Sequence, residues 1–440
     1  MSKIILFFII INTLLISQEK NLKISSEFFL NDNYDSKIFY NNNGIYKNRA
    51  NNYYVLEYSY KHKNFNIIFK PVFSNSDLIF NKIGLEFFHK NHFIKIGVLP
   101  YNSLRKNDFV LSQNGEPFIN FQFGTIKNLT LKKRKFNNVI LGYDFFVGKL
   151  NSRGNFIHEI HYDKYIKSKY LINPYFHKKT LNVGYKFPNF TFNLGLNHGV
   201  MFGGKIQKGD GIINPDRTMR AFLDAIAFQT SSGNYYSADQ NFEGNHLGYI
   251  SFELFNNNFH LYYDKIFDDK SGLQFKNGFD GILGFVFFPS SFEYNFSLEL
   301  LSTKNQSGNV HIEGESSGVD SYYWHHIYTS GWLINNHSLG HYLLSPSNNR
   351  MQALSLIFEK KISEKFNFSI QTNIINQFQH YGPKNIQLTV SDDKYHKWVN
   401  YTNINLMKKF KEIKYTFSLG YINDEIKLNI YKIKLERDLF

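Results

Sequence analysis

Hydrophobic residues recur on every second position through most of this chain. In FEYNFSLELL (292–301), Phe292, Tyr294, Phe296, Leu298 and Leu300 alternate with Glu293, Asn295, Ser297 and Glu299. Phe366, Phe368, Ile370, Thr372 and Ile374 alternate with Asn367, Ser369, Gln371 and Asn373, and the runs from Phe190 to Leu196 and from Tyr415 to Tyr421 repeat the pattern. A period of two puts neighbouring side chains on opposite faces of a strand, so the pattern predicts an all-β chain. About eighteen such segments fit between residue 24 and the C-terminus.

The connections fall into two classes. FPN (187–189), NNN (256–258), PSS (289–291), SEK (363–365) and KEI (411–413) are places for tight reversal, whereas about 98–117, 198–245, 302–350 and 379–398 are long. Short turns at one end and long loops at the other are the pattern of a transmembrane antiparallel outer-membrane β-barrel. A soluble sandwich or propeller would carry shorter strands, commonly of about five or six residues, where several segments here reach the nine to eleven that a tilted bilayer-crossing strand needs. After the first residues no apolar run is long enough for a membrane-spanning helix.

One stretch breaks the period. In DRTMRAFLDAIAFQ (216–229), Met219, Phe222, Leu223 and Ile226 have helical spacing behind a cap expected at Asp216. A short loop helix is expected there, folded across or into the lumen as a constriction.

The N-terminus begins Met1, Ser2, Lys3 and continues IILFFIIINTLLIS, a charge followed by an apolar run of secretory length. Residues 1–17 are read as an export signal cleaved near Ser17, and 18–440 as a single barrel domain in the bacterial outer membrane. The absence of cysteine excludes a lipoprotein anchor. Aromatic residues make up 18% of the chain, mainly Phe and Tyr, which suits a lipid-facing wall with interfacial girdles. The chain ends on Phe440, out of phase with Tyr431, Ile433 and Leu435, so a bulge or frayed turn is expected between them.

The formal charge of +14 becomes +13 when Lys3 leaves with the signal. An exported basic protein with dispersed Lys and Arg does not meet nucleic acid; anionic glycans and lipopolysaccharide are the polyanions of its compartment. Surplus lysine that merely solvates loops explains the same charge. Outer-membrane lipid and the barrel-assembly machinery are the partners any such barrel meets.

A series of segments carries a family resemblance. LGLNHGVMFGG (194–204), the amphipathic stretch, GNHLGYISFEL (244–254), LYYDKIFDDKSG (261–272), NGFDGILG (277–284), STKNQSG (302–308), DSYYWHHIYTSGW (320–332) and SNNRMQALSL (347–356) follow in an order that resembles the capsule assembly Wzi family, in its Bacteroidetes-type branch. LSQNGEPFINFQFG (111–124) resembles an earlier segment in degenerate form. The resemblance covers about residues 110–356. It implies a barrel of about eighteen strands acting as a lectin for capsular or related polysaccharide, without a catalytic step. The enterobacterial branch closes its periplasmic end with a helical bundle. Residues 18–60 here depart from that pattern, reading as strand and Asn-rich turn.

The stretch SGVDSYYWHHIYTSGW (317–332) is the richest in recognition chemistry. Sugars stack C–H faces on rings while amides, hydroxyls and carboxylates take their hydroxyls. Asp320, Tyr322, Tyr323, Trp324, His325, His326, Tyr328 and Trp332 supply those groups, with Asn348, Asn349 and Arg350 behind them, and Arg350 can pair with a uronate or phosphate. The same rings equally suit packing of the loop onto the barrel mouth.

Other motifs lead nowhere. His337 and His341 have the i, i+4 spacing of a zinc pair, but HSLGH contains Gly340 and lacks the following Glu, so no metal or cofactor is expected. HEIH (158–161) reads as strand, with its His residues facing opposite ways, and GGKIQKGDG (203–211) as a flexible loop without the Lys and Ser/Thr of a phosphate grip. Two rival functions stand beside the lectin: a diffusion porin with an open lumen, and a barrel-wall phospholipase or acyltransferase, for which no Ser is marked as activated.

Overall fold

The computed structural model describes residues 20–29, 52–74, 78–101, 107–126, 129–130, 138–150, 169–208, 211–213, 218–227, 244–289, 293–306, 322–323, 328, 331–334, 337–346, 348–378, 396–423 and 427–438. Residues 1–17, read above as an export signal, and HEIH, Asp216 and Phe440 lie outside them.

Among the described residues, eighteen strands close into one antiparallel barrel. In chain order they are β1 (Lys20–Phe29), β2 (Asn52–His62), β3 (Phe65–Ser74), β4 (Leu78–His89), β5 (His92–Val98), β6 (Ile119–Thr125) and β7 (Val139–Lys149). Then follow β8 (Tyr175–Lys186), β9 (Thr191–Phe202), β10 (Asn245–Phe255), β11 (Phe259–Phe267), β12 (Gly281–Phe287) and β13 (Tyr294–Ser302). The last are β14 (Met351–Ser363), β15 (Phe366–Phe378), β16 (His396–Phe410), β17 (Ile413–Asn423) and β18 (Lys427–Asp438). The dipeptide Leu129–Thr130 extends the β6 edge along β7, pairing with Leu141 and Ile140. Each strand pairs with the next, and β18 closes on β1 from Lys23↔Asp438 to Phe29↔Lys432. Closure leaves no sheet edge, as hydrocarbon demands.

The burial pattern is inverted relative to a water-soluble sheet. Phe192, Leu194 and Leu196 are exposed, while Asn193 and Asn197 on the same strand are buried. Leu85 and Phe87 flank buried Glu86, and Ile94 and Ile96 flank buried Lys95. Apolar side chains outward and polar ones inward define a lipid-wetted wall around a polar lumen.

The first residue of β1, Lys20, and the last of β18, Asp438, lie at the end that carries the tight turns. Three of these turns place lysine in the left-handed region, at Lys63 (φ 50°), Lys90 (φ 52°) and Lys411 (φ 52°). Two-residue hairpins need that region because it matches the strand twist. This end is the periplasmic one by the short-turn rule. The long connections after β5, β9, β13 and β15 all leave the opposite rim, as expected, and so does the one after β7. Strand β9 runs on to Phe202, so residues 198–202 are wall rather than loop. The segment read as a flexible loop at 203–211 is in part a strand: Lys205–Lys208 pairs with Gly211–Ile213 and with Lys169–Ile172. Strand β18 pairs with β17 without interruption from Lys427 to Arg437, so no bulge shifts the phase there.

The helix forms at Met219–Ala227, but its position and cap correct the expectation. Thr218 caps it, its Oγ1 accepting from the Ala221 amide at 3.2 Å. It does not enter the lumen. Its buried residues are Ala221 and Ala225, packed on Val200 and Phe202 and against Tyr175. In β9 the inward set is Gly199 and Met201, which meet the interior cluster, so Val200 and Phe202 point outward. The helix therefore lies on the outer wall. Met219 and Leu223, 71% and 56% exposed, face away from it. In water the apolar stripe would turn inward; against lipid the small alanines give close packing and the large residues meet hydrocarbon. Lys179 of β8 donates to the Ile226 carbonyl, satisfying an orphan acceptor of the last turn. The helix thereby covers an outward polar cluster of His177, His198 and His246, where the His198 and His246 rings stack 5.3 Å apart.

Candidate functional site: a plugged barrel mouth

A barrel of this strand number encloses a channel wide enough for water and small solutes unless something fills it. Here two loops do: the connection after β5 (99–118) and the connection after β13 (303–350). Their described residues form the interior cluster with Tyr101, Phe109, Val110, Leu111, Tyr322, Tyr323, Tyr328, Trp332, Leu339, Tyr342 and Leu344, all buried.

The first loop is anchored by charge. Asp108 Oδ2 accepts from Lys178 Nζ at 2.6 Å and from the Tyr249 hydroxyl at 3.0 Å. Its Oδ1 accepts from the amides of Val110 and Leu111 at 2.7 and 3.1 Å. The Lys178 ammonium also sits 3.9 Å from the Tyr101 ring centroid. Both members of the pair are buried, with 0% and 2% of their side chains exposed. Burial opposes ionisation of Asp108, but the Lys178 charge and the three donors outweigh it, and the carboxyl stays below the ordinary carboxylate range. A second clamp joins Asn107 and the Tyr262 hydroxyl to the Glu299 carboxylate.

The second loop is laid over the first. Trp332 Nε1 donates to the Val110 carbonyl at 2.6 Å, and its ring meets Phe176 edge-on at 5.5 Å. The Tyr323 hydroxyl donates to the Phe109 carbonyl at 2.6 Å and accepts from the His341 amide at 2.7 Å. Those two bonds hold Tyr323 at φ 69°, a region that bulky residues avoid. At Gly340 any Cβ would collide with the Phe109 carbonyl oxygen, so the loop backbones touch there because that residue is glycine. Burial drives the His341 ring down to about 3, so it is neutral in the plug.

A polar hub ties the second loop to the rim. Asp280 accepts from the Gln306 amide at 2.8 Å, the Asn305 amide at 3.2 Å and the Tyr322 hydroxyl at 3.1 Å. Burial raises the Asp280 carboxyl despite those donors. Asn349 Nδ2 donates to the Tyr322 carbonyl at 2.7 Å, and Gln306 Nε2 donates to Asn349 Oδ1 at 3.0 Å. Arg350 Nε donates to the Lys304 carbonyl at 2.8 Å, and its guanidinium lies 5.5 Å from the Phe378 ring centroid.

Of the residues singled out for sugar recognition, Tyr322, Tyr323, Tyr328, Trp332, Asn349 and Arg350 come together as the packed interior of this plug. Asn348 is half-buried in a tight reversal in which it exchanges backbone hydrogen bonds with Ser345. Asp320, Trp324, His325 and His326 lie outside the described residues. Sequence reasoning missed Asp108, Lys178, Tyr249 and Asp280. The only available signal was Lys178 on the inward parity of a strand where Phe176 is also inward, a charge among apolar neighbours.

A closed barrel with a lipid-facing wall, tight periplasmic turns and a mouth stoppered by its own loops defines an outer-membrane β-barrel protein of the plugged kind. A family model described as capsule assembly protein Wzi matches residues 108–383, and the chain belongs to that family. The solved Escherichia coli structure described as Wzi, an outer membrane protein involved in group 1 capsule assembly and a carbohydrate-binding β-barrel, superposes with a TM-score of 0.59 at 12% identity. That match covers 99% of this chain and 87% of the other, and it establishes the shared fold. Pseudomonas aeruginosa OccK5 gives a TM-score of 0.42 at 9% identity over 96% of this chain and 98% of its own, too loose a likeness to bear on function. No curated protein matches this sequence.

Proposed function

We propose that this barrel binds surface polysaccharide at the outer membrane and assists capsule assembly, without a catalytic step. The observation that carries the reading is the stoppered mouth in a chain of this family: a fold that closes its channel with two interlocked loops presents a fixed surface rather than a solute path. Residues 320–332 are the proposed contact segment. Tyr322, Tyr323, Tyr328 and Trp332 form its foundation, and Asp320, Trp324, His325, His326 and Asn348 offer a carboxylate, an indole ring, imidazoles and an amide to the glycan. The net charge of +14 supports an acidic polysaccharide as partner, with lipopolysaccharide around the wall.

The test is capsule retention. Cells lacking the protein are expected to shed polysaccharide into the medium, and the double variant Trp324→Ala with His325→Ala to shed it while keeping the barrel in the membrane. Unchanged retention in the deletion strain overturns the proposal.

A further inference from the structure

Beneath the plug, one recess in the lumen wall reaches down to the periplasmic turns and is built rather than left over. It has a volume of about 730 Å³, within the range of small-ligand pockets. Tyr101, Asp108 and Tyr249 roof it, and Phe88, Phe93 and Asn256 stand near its periplasmic mouth.

Strand register explains the shape. Asp144, Thr180, Asn197 and Tyr249 are direct cross-strand partners on β7, β8, β9 and β10, forming one inward row. The next row toward the periplasm is Gly142, Asn182, Gly195 and Ser251, and the one below is Ile140, Gly184, Asn193 and Glu253. Three glycines among these inward positions hollow the wall beneath the polar row. At Gly195 a Cβ would sit 2.6 Å from Asn182 Oδ1, so the glycine is what admits the amide.

Part of the row is already satisfied internally. Thr180 Oγ1 donates to Asn197 Oδ1 at 2.8 Å, and Asn193 Nδ2 donates to Glu253 Oε2 at 2.8 Å. Two groups are not. The Asp144 carboxylate and the Asn182 amide make no side-chain hydrogen bond or ion pair with another described residue, and Asp144 Oδ1 is buried without a partner. An unpaired carboxylate in a half-buried wall is costly unless a ligand supplies donors.

We infer that this recess binds a neutral saccharide segment arriving from the periplasm. A carboxylate takes sugar hydroxyls as donors, a neighbouring amide serves a vicinal hydroxyl either way, and Tyr249 offers an edge of ring. Charge argues against a polyanion here. The lining carries Asp108, Asp144 and Glu253 against Lys95 and Lys186, and Lys95 is already paired with Glu86. The site is distinct from the extracellular contact segment and does not depend on it.

The test uses the purified full chain in detergent, with maltotriose and chitotriose as probes and a hyaluronan tetrasaccharide as the acidic comparator, read by saturation-transfer NMR and titration. At least one neutral probe is expected to bind, and Asp144→Ala and Asn182→Ala are each expected to weaken it about tenfold. Because the chain has no cysteine, Asn182→Cys gives a second readout: a thiol reagent in the periplasm is expected to label it, and bound trisaccharide to slow the labelling. Unaltered affinity in both variants, binding of hyaluronan alone, or no binding by either neutral probe overturns the inference. None of these outcomes touches capsule retention on cells, which reads the outer surface.

Discussion

Replacing Asp108 with alanine is expected to unlatch the plug while leaving the barrel closed. The substitution removes four accepted hydrogen bonds and takes away the carboxylate paired with the Lys178 ammonium, leaving the Tyr101 ring and the more distant Asp144 carboxyl near it. Breaking a buried ion pair on one side costs about 3–5 kcal/mol, because the remaining charge stays desolvated. At about 1.4 kcal/mol per decade, the ratio of open to stoppered mouths rises roughly a hundredfold to a few thousandfold. The wall ladders do not use Asp108, so heat-resistant migration of the folded barrel is expected to persist. Planar-bilayer recording reads the change directly: long closed periods in the wild type, and frequent openings in Asp108→Ala. The double variant Asp108→Leu with Lys178→Met replaces the pair by apolar side chains and is expected to close again in large part, since the desolvated charge is gone. Equal opening frequencies in wild type and Asp108→Ala, or a double variant more open than either single one, refute the reasoning.

Three further outcomes follow from the same geometry. Trp332→Ala removes a fully buried indole and its bond to the Val110 carbonyl, with an expected loss of about 3–5 kcal/mol of plug stability, seen as faster proteolysis of the second loop on intact cells. Because burial holds His341 neutral down to about 3, the unfolded loop binds more protons than the plug between its ordinary value near 6.5 and about 3. Plug stability from this group is complete above about 6.5 and is lost as pH falls through that window; opening frequency in bilayers is expected to rise on acidification, and His341→Asn to flatten the rise. Ala225→Leu forces a larger side chain between the outer helix and Val200, costing about 1–3 kcal/mol and exposing residues 203–244 to protease, whereas Ala227→Leu at the helix end is expected to do neither.

The alternation of Phe292 to Leu300 and of Phe366 to Ile374 made the wall legible, because a period of two survives any environment that distinguishes two faces. Turn chemistry was less legible. Lys63, Lys90 and Lys411 take the left-handed position that Asn or Gly usually marks, so the tight hairpins were recognisable by spacing rather than by residue type. The helix was found, but its side was not: Met219, Phe222, Leu223 and Ile226 look the same whether the stripe faces a core or a bilayer, and only Ala221 and Ala225 against Val200 decide it. The aromatic run around Tyr323 belongs to a loop that the structure packs into the barrel mouth. Its use as internal packing depends on the Phe109 and Val110 carbonyls more than two hundred residues away in sequence, a separation no local pattern reports. A separation of 70 residues likewise hid Asp108 and Lys178, each an ordinary charge until the loop folds back onto the strand.

Lumen, plug and lipid-facing wall all depend on closure of the barrel between its first and last strands. Ser26 and Leu435 are partners across the β1 and β18 seam, and cysteines at both positions in the otherwise cysteine-free protein report it in the outer membrane. With a mild oxidant, Ser26→Cys with Leu435→Cys is expected to cross-link as completely as Leu406→Cys with Phe417→Cys, a pair within the wall. A seam that fails to link while the internal pair links contradicts the closed barrel and everything built on it.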